Sequence, residues 1–207
     1  MVENIDLKEI EKKAWTSYFQ DGLWDIFLGL ILLSFGIIPL LEDMGVPYLL
    51  NYIIAMVPAY VVFYIGKKYI TVPRMGMVRF SSERKSKKMR ASLALAASVI
   101  FGFIVMLILI TNIISLKSII LLGAVLFGIN AIVVFSIMAH FLDFKRLYIY
   151  GLFFAASIAL VEFSRSYVGS KYDNLVGFGV FGGTMILIGI VYLIRFLHNY
   201  PKPAEAG

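Results

Sequence analysis

Six long apolar runs constrain this chain more than any other feature. They occupy 22–41, 46–66, 91–114, 118–139, 147–164 and 174–196, within a few residues at each end. A helix rises about 1.5 Å per residue, so about 20 such residues cross a hydrocarbon layer roughly 30 Å thick. A water-soluble domain averages about half apolar and about a quarter charged residues. Here 60% of the 207 residues are hydrophobic and 15% are charged, and that excess calls for lipid as a second solvent. The runs lack the period-2 alternation of a lipid-facing strand, which argues against a β-barrel. The fold expected is therefore all-α: a polytopic bundle of six transmembrane helices over 22–196, with residues 1–21 as an amphipathic surface helix and 197–207 as a tail.

Charge placement gives the orientation. Of the nineteen Lys and Arg residues, sixteen fall in the N-terminal segment, between the second and third runs, between the fourth and fifth, or near the C-terminus. Only Lys117, Arg165 and Lys171 fall on the other side. Basic residues concentrate on the cytoplasmic side, so the split predicts a multi-pass protein of the cell membrane with both termini in the cytoplasm. No cleavable signal peptide is visible ahead of residue 22.

Asp6-Leu7-Lys8-Glu9 has the spacing of a capping box. The helix it would start places Leu7, Ile10, Ala14 and Tyr18 on one stripe. Two placements are open: along the inner membrane surface with Trp15, Tyr18 and Trp24 near the headgroups, or folded beneath the bundle.

The chain has no Cys, which excludes a disulfide scaffold, thiolate metal sites and a cysteine nucleophile. A net charge of +6 does not make it a nucleic-acid binder, because long apolar runs interrupt the basic residues. They cluster instead in the loop 67–90, nine of them against the single acid Glu83. Val72 to Phe80 reads as two short extended pieces around a turn, and Ser81 to Arg90 as a solvated basic lead-in to the third span. Arg74, Arg79, Arg84, Lys85, Lys87, Lys88 and Arg90 are the candidates for contact with anionic headgroups or a partner protein. Each basic group near an anionic leaflet contributes about 1 kcal/mol of attraction.

Asp21-Gly22-Leu23-Trp24-Asp25, with Pro73-Arg74-x-Gly76-x-Val78-x-Phe80 after the second span, resembles a family of small uncharacterised prokaryotic polytopic membrane proteins. That family carries no assigned activity, so the resemblance implies a membrane location and no mechanism.

Ionisable side chains inside a span cost a few kcal/mol and turn toward protein or water. Gly22, Asp25, Gly29 and Gly36 fall within an arc of about 60°, a face on which another backbone can come close. Gly151, Ala155, Ala159, Glu162 and Ser166 form a similar face on the fifth span. Asp25 reads either as an ion-responsive carboxylate or as a group stabilising a helix N-terminus beside Asp21. Glu162 reads either the same way or as a local partner of Arg165. Asn51 and Asn112 belong near the outer ends of their spans and Asn130 near the midplane, where each lines a route or makes an interhelical hydrogen bond. On the sixth span Gly179, Gly182, Gly183 and Gly189 share a face about 120° wide, with Gly179-x-x-x-Gly183 at close-approach spacing, which admits either another span of this chain or a second copy in a homodimer.

No enzyme constellation completes. The Asp-Gly start shares something with phosphatidyltransferases, yet the Ala-Arg pair and later aspartates of their pattern are missing. His140 and His198 do not form a zinc-protease motif, and no cofactor or metal is expected. Two functions remain. One is a small transporter or channel-like protein, with Asp25 and Glu162 responding to ions and Asn51, Asn112 and Asn130 lining the route. The other is a non-transporting scaffold or accessory subunit that binds lipid or a partner through its basic loop.

Overall fold

The computed structural model describes residues 11, 15–75, 81–110 and 116–201. The capping box, most of the expected surface helix, Gly76 to Phe80 with Arg79, and Asn112 lie outside the described residues. Every regular element among those described is helical. The long helices are α1 (Leu23–Asp43), α2 (Tyr48–Gly66), α3 (Ser82–Ile110), α4 (Leu116–Leu142), α5 (Arg146–Val168) and α6 (Asp173–Asn199). All six are long and apolar enough to cross a membrane, which is consistent with a multi-pass membrane protein.

The helices stand in chain order around a ring: α2 on α1, α1 on α6, α6 on α5, α5 on α4 and α4 on α3. Extensive packing stops between α2 and α3, and that opening, with α3 held mainly along one flank, makes α3 the least buried of the six. Short connections between antiparallel neighbours account for most of this order.

The tightest crossing is α1 on α6, and glycine makes it possible. A Cβ on Gly22 would lie 2.1 Å from Gly189 O, and one on Gly29 2.7 Å from Gly182 O. Gly36 approaches Asn174 O in the same way, at 3.0 Å. Spacing by seven on α1 thus meets spacing by seven on α6. Of the four glycines on the α6 face, Gly182 and Gly189 meet α1 backbone, while Gly183 has nothing within 4 Å and Gly179 makes only ordinary contact. Antiparallel register against α1 selects Gly182 and Gly189 from that face, and the partner of the α1 face is a span of the same chain. Gly151, by contrast, presses on Phe135 of α4 as its small-residue face suggests, with a Cβ distance of 2.9 Å.

Two local expectations are also corrected. Residues 67–75 are helical, with a π turn at Lys67–Thr71 leading into Val72–Met75. Val72 N–H bonds to Lys67 O, and this wider turn gives Pro73 room against the preceding carbonyls, so the chain need not go extended there. Ser82 to Arg90 forms the opening turns of α3 rather than a loop, with Lys87 paired to Glu83 one turn away at 3.3 Å.

At the basic end, residues 15–19 form a helical segment beneath the bundle. Trp15 and Phe19 are buried with Leu142, Phe144, Leu147 and Tyr150, which favours the packed placement over the headgroup one for Trp15. Trp15 Nε1–H donates to Leu142 O at 2.8 Å, satisfying a carbonyl at the end of α4. The chain leaves α4 through Asp143 in the left-handed region (φ 54°), and Phe144 N–H returns to Ala139 O. This is a Schellman turn with Asp in the place glycine usually takes.

Candidate functional site

Two aspartates lie one helical turn apart where the chain enters α1, and neither is exposed. Each is saturated by basic and hydroxyl partners from another helix. Asp25 Oδ1 accepts from Arg146 Nε at 2.8 Å and from the Tyr150 hydroxyl, while Oδ2 accepts from Arg146 NH2 at 2.8 Å. The same NH2 donates to Phe19 O at 2.9 Å. Tyr192 lies 3.8 Å below the guanidinium and Phe144 4.8 Å away, so its faces are covered by rings. Arg146 opens α5, and the start of that helix is what delivers it to α1.

Asp21 is held by the π turn that follows α2. Its Oδ2 accepts from Lys67 Nζ at 2.7 Å and from Thr71 Oγ1 at 2.5 Å, and its Oδ1 accepts from Leu23 N–H at 3.1 Å. Lys67 also donates to Tyr18 O at 2.6 Å. Lys67 and Thr71 are the first and last residues of the π turn, so the irregular turn lies directly beside Asp21. The two clusters are charge-neutral pairs that tie α1 to α2 and to α5. Their lone pairs are already spent on donors, which leaves little for a cation to coordinate.

Glu162 sits at the other end of the bundle. It is twelve residues beyond Tyr150 on α5, or about 18 Å along the helix. Its side chain is 60% exposed and pairs with Arg165 at 2.9 Å, as the local i,i+3 alternative expects. Arg165 also bonds, through Nε at 2.8 Å, to Asp173, whose side chain is 1% exposed. Asp173 is a buried carboxylate that was not among the candidate residues read from the sequence. Between the two ends, Leu32, Phe153, Phe181 and Met185 belong to the apolar core. Asp25 and Glu162 are not brought together.

The asparagines diverge. Asn130 Nδ2 donates to Ser98 Oγ at 2.7 Å, an interhelical bond between α4 and α3. Asn51 is fully buried on the α1-facing side of α2, and neither amide atom has a partner among the described residues. Ser34, on the facing side of α1, is bonded to Ala55 O at 2.6 Å, one turn along.

The basic candidates also separate. Arg74 folds back on Ile70 O at 3.0 Å, and Arg90 lies over the Phe141 ring at 5.9 Å. Arg84 reaches Asp143 at 2.5 Å and stacks over Trp15 at 5.4 Å. Lys85 and Lys88 have no ion-pair partner among the described residues. With Arg84 they form one wall of a cleft of about 680 Å³, whose other walls include Trp15, Tyr18, Trp24 and Met138. No carboxylate is among the described residues lining it. A second chamber of about 590 Å³ continues along α3 and α4, lined by Phe35, Val99, Gly102, Ala131 and Phe154 among others. Leu95 borders both spaces, and among the described residues the chamber's polar side chains are Ser98 and Asn130, already bonded to each other. Neither the cleft nor the chamber was visible in the sequence, because both are made by the gap between α1 and the α3–α4 pair.

Comparison with known proteins gives no match: no family model, no curated protein and no solved structure aligns with the chain.

Proposed function

We propose that the chain is a multi-pass protein of the cell membrane, termini in the cytoplasm, acting as a non-transporting scaffold or accessory module that binds anionic lipid at its basic end. The cleft walled by Arg84, Lys85 and Lys88 carries this reading. Two lysines without carboxylate partners among the described residues face a space rimmed by Trp and Tyr, on the side where the sequence leads one to expect sixteen of the nineteen basic residues. Aromatic and basic groups at one depth suit the headgroup region of a leaflet. Conduction has less to stand on: Asp25 is fully engaged by Arg146 and Tyr150, Glu162 pairs locally with Arg165, and an apolar core separates them.

The test is lipid-dependent stability of the purified full chain in detergent. A ligand bound only by the folded state at a hundred times its Kd stabilises by about 2.7 kcal/mol. Phosphatidylglycerol should raise the unfolding midpoint and phosphatidylcholine should not, and Lys85→Gln with Lys88→Gln should erase the difference. Equal stabilisation by both lipids would overturn the reading. So would an ion flux in proteoliposomes that Asp25→Asn or Glu162→Gln abolishes.

A further inference from the structure

The cleft and the chamber, taken together as a passage, lie end to end along α3 and α4, with Leu95 bordering both. Lys85, Lys88, Ser92 and Leu95 of α3 line the cleft, and Leu95, Ser98, Val99 and Gly102 of the same helix line the chamber. On α4, Leu142 and Met138 lead in the same direction to Phe135, Ala131 and Ala124. From Lys88 to Gly102 is fourteen residues, about 21 Å of helix. Half of a hydrocarbon core roughly 30 Å thick is about 15 Å, so the passage runs the depth of one leaflet, and a little more.

Its chemistry changes along that length. The mouth is cationic. Beyond Leu95 the wall is apolar except for the Ser98–Asn130 pair, whose mutual bond leaves no reason for a polar ligand to enter. The helix that lines both spaces, α3, has no extensive partner on its α2 side among the described residues. A molecule already in the membrane can reach it sideways.

We infer that this passage takes one acyl chain of an anionic phospholipid, with the phosphate at Lys85, Lys88 and Arg84 and the chain running past Leu95 to Gly102. The inference rests on the lipid-binding reading above and adds to it an inserted tail and a route of entry. A headgroup held only at the surface would leave the chamber without an occupant of matching length. Charge selects the anion at the mouth, and the apolar wall selects a long chain behind it. The side opening lets the second acyl chain stay in the bilayer.

Single-chain lipids separate headgroup from tail. The full chain is titrated in detergent with lysophosphatidylglycerol bearing eight or sixteen carbons, and with sixteen-carbon lysophosphatidylcholine, while the unfolding midpoint is followed. For the native sequence the long anion should bind at least tenfold more tightly than either the short anion or the long zwitterion. Val99→Phe with Gly102→Leu fills the chamber and should cut the long-to-short ratio at least fivefold while the anion preference remains. An unchanged ratio in that folded variant overturns the inserted tail and leaves the lipid-binding reading intact. Loss of all anion preference in the native sequence overturns both. Should the filled variant not fold, the native chain supplies a second readout, because Trp15 and Trp24 are its two tryptophans and both line the cleft. Lysophosphatidylglycerol brominated near the head of its chain should quench their emission at least threefold more than the equally brominated phosphatidylcholine analogue. Equal quenching overturns the proposal.

Discussion

Arg146 grips Asp25 through two parallel hydrogen bonds, Nε to Oδ1 and NH2 to Oδ2, each 2.8 Å long. The residues are 121 positions apart, and the pair closes the basic end of the ring by fastening α5 to α1. Removing one member of a buried pair strands the other charge, at about 3–5 kcal/mol, whereas replacing both with apolar groups is often neutral or better. Asp25→Asn should therefore lower stability by about that amount, and Asp25→Leu with Arg146→Met should recover most of it. Arg146→Lys should not rescue, because a single ammonium cannot make both bonds. Chemical unfolding in detergent followed by circular dichroism reads all four proteins. A double variant no better than the single ones would show that the pair does more than hold the helices.

The α1–α6 crossing predicts opposite outcomes for two glycines on α6. Gly182→Ala would put a Cβ 2.8 Å from Gly29 O, so backbone must move, and overpacking of this kind costs about 1–3 kcal/mol. Gly183→Ala meets nothing within 4 Å and gains helix propensity, worth about 0.5–1 kcal/mol. Comparing the two unfolding midpoints checks the register. Equal effects would place the crossing elsewhere.

At the opposite end the two carboxylates that share Arg165 should differ. Glu162 is well exposed, and exposed pairs are worth about 0–1 kcal/mol, so Glu162→Gln should be nearly silent. Asp173 is buried and also accepts from Asn174 N–H at 2.6 Å and Nδ2 at 2.9 Å. Bonds to a charged group contribute about 1.5–3 kcal/mol, so Asp173→Asn should cost in that range. A large stability loss from Glu162→Gln would contradict the exposure assigned to it.

Outside the bundle, Glu11 ties the N-terminal segment to the start of α3. Ser81 N–H donates to its Oε1 at 2.7 Å. Hydrogen bonding from the backbone and side chain of Ser81, helped by the charge of Arg84, holds the Glu11 carboxyl below the usual glutamate range. A depressed value means the contact favours the ionised form. It is at full strength above the usual range and is lost as pH falls through the depressed value. Protection of the Ser81 amide against hydrogen exchange, corrected for the intrinsic rate, should drop across that window and should be low and flat in Glu11→Gln.

What the sequence disclosed follows from how local each signal is. Hydropathy is summed over one window, so all six helices could be read, and the charge asymmetry with them. The heptad of Gly22, Gly29 and Gly36 is also a single-helix pattern and gave the close-packed face of α1. The α6 face with its four glycines was legible too, but which of them meet α1 was not, because the choice of Gly182 and Gly189 depends on how two antiparallel helices register. The burial of Asp25 could be inferred from the α1 face. Its binding to Arg146 could not, since nothing in either window refers to the other. The π turn escaped notice for a similar reason: Lys67 and Thr71 are brought to Asp21 by one hydrogen bond of unusual span, and Pro73 nearby argued for an extended chain.

Asn51 offers the sharpest test of whether a polar residue in a span is there for its polarity. An amide buried without partners forfeits its hydration and gains nothing back, a penalty of about 1–3 kcal/mol per unsatisfied group. Leu has the same number of side-chain heavy atoms and the same branch point, and would satisfy the site by apolar contact with α1. Asn51→Leu should therefore leave stability unchanged or raise it by about 1–2 kcal/mol, whereas Asn51→Asp, which adds a charge at the same place, should destabilise. If Asn51→Leu instead lowers the unfolding midpoint by several degrees, the amide has a partner in the membrane-embedded protein. A polar pathway between α1 and α2 would then regain the support that the bonded Asn130 and the paired Asp25 do not give it.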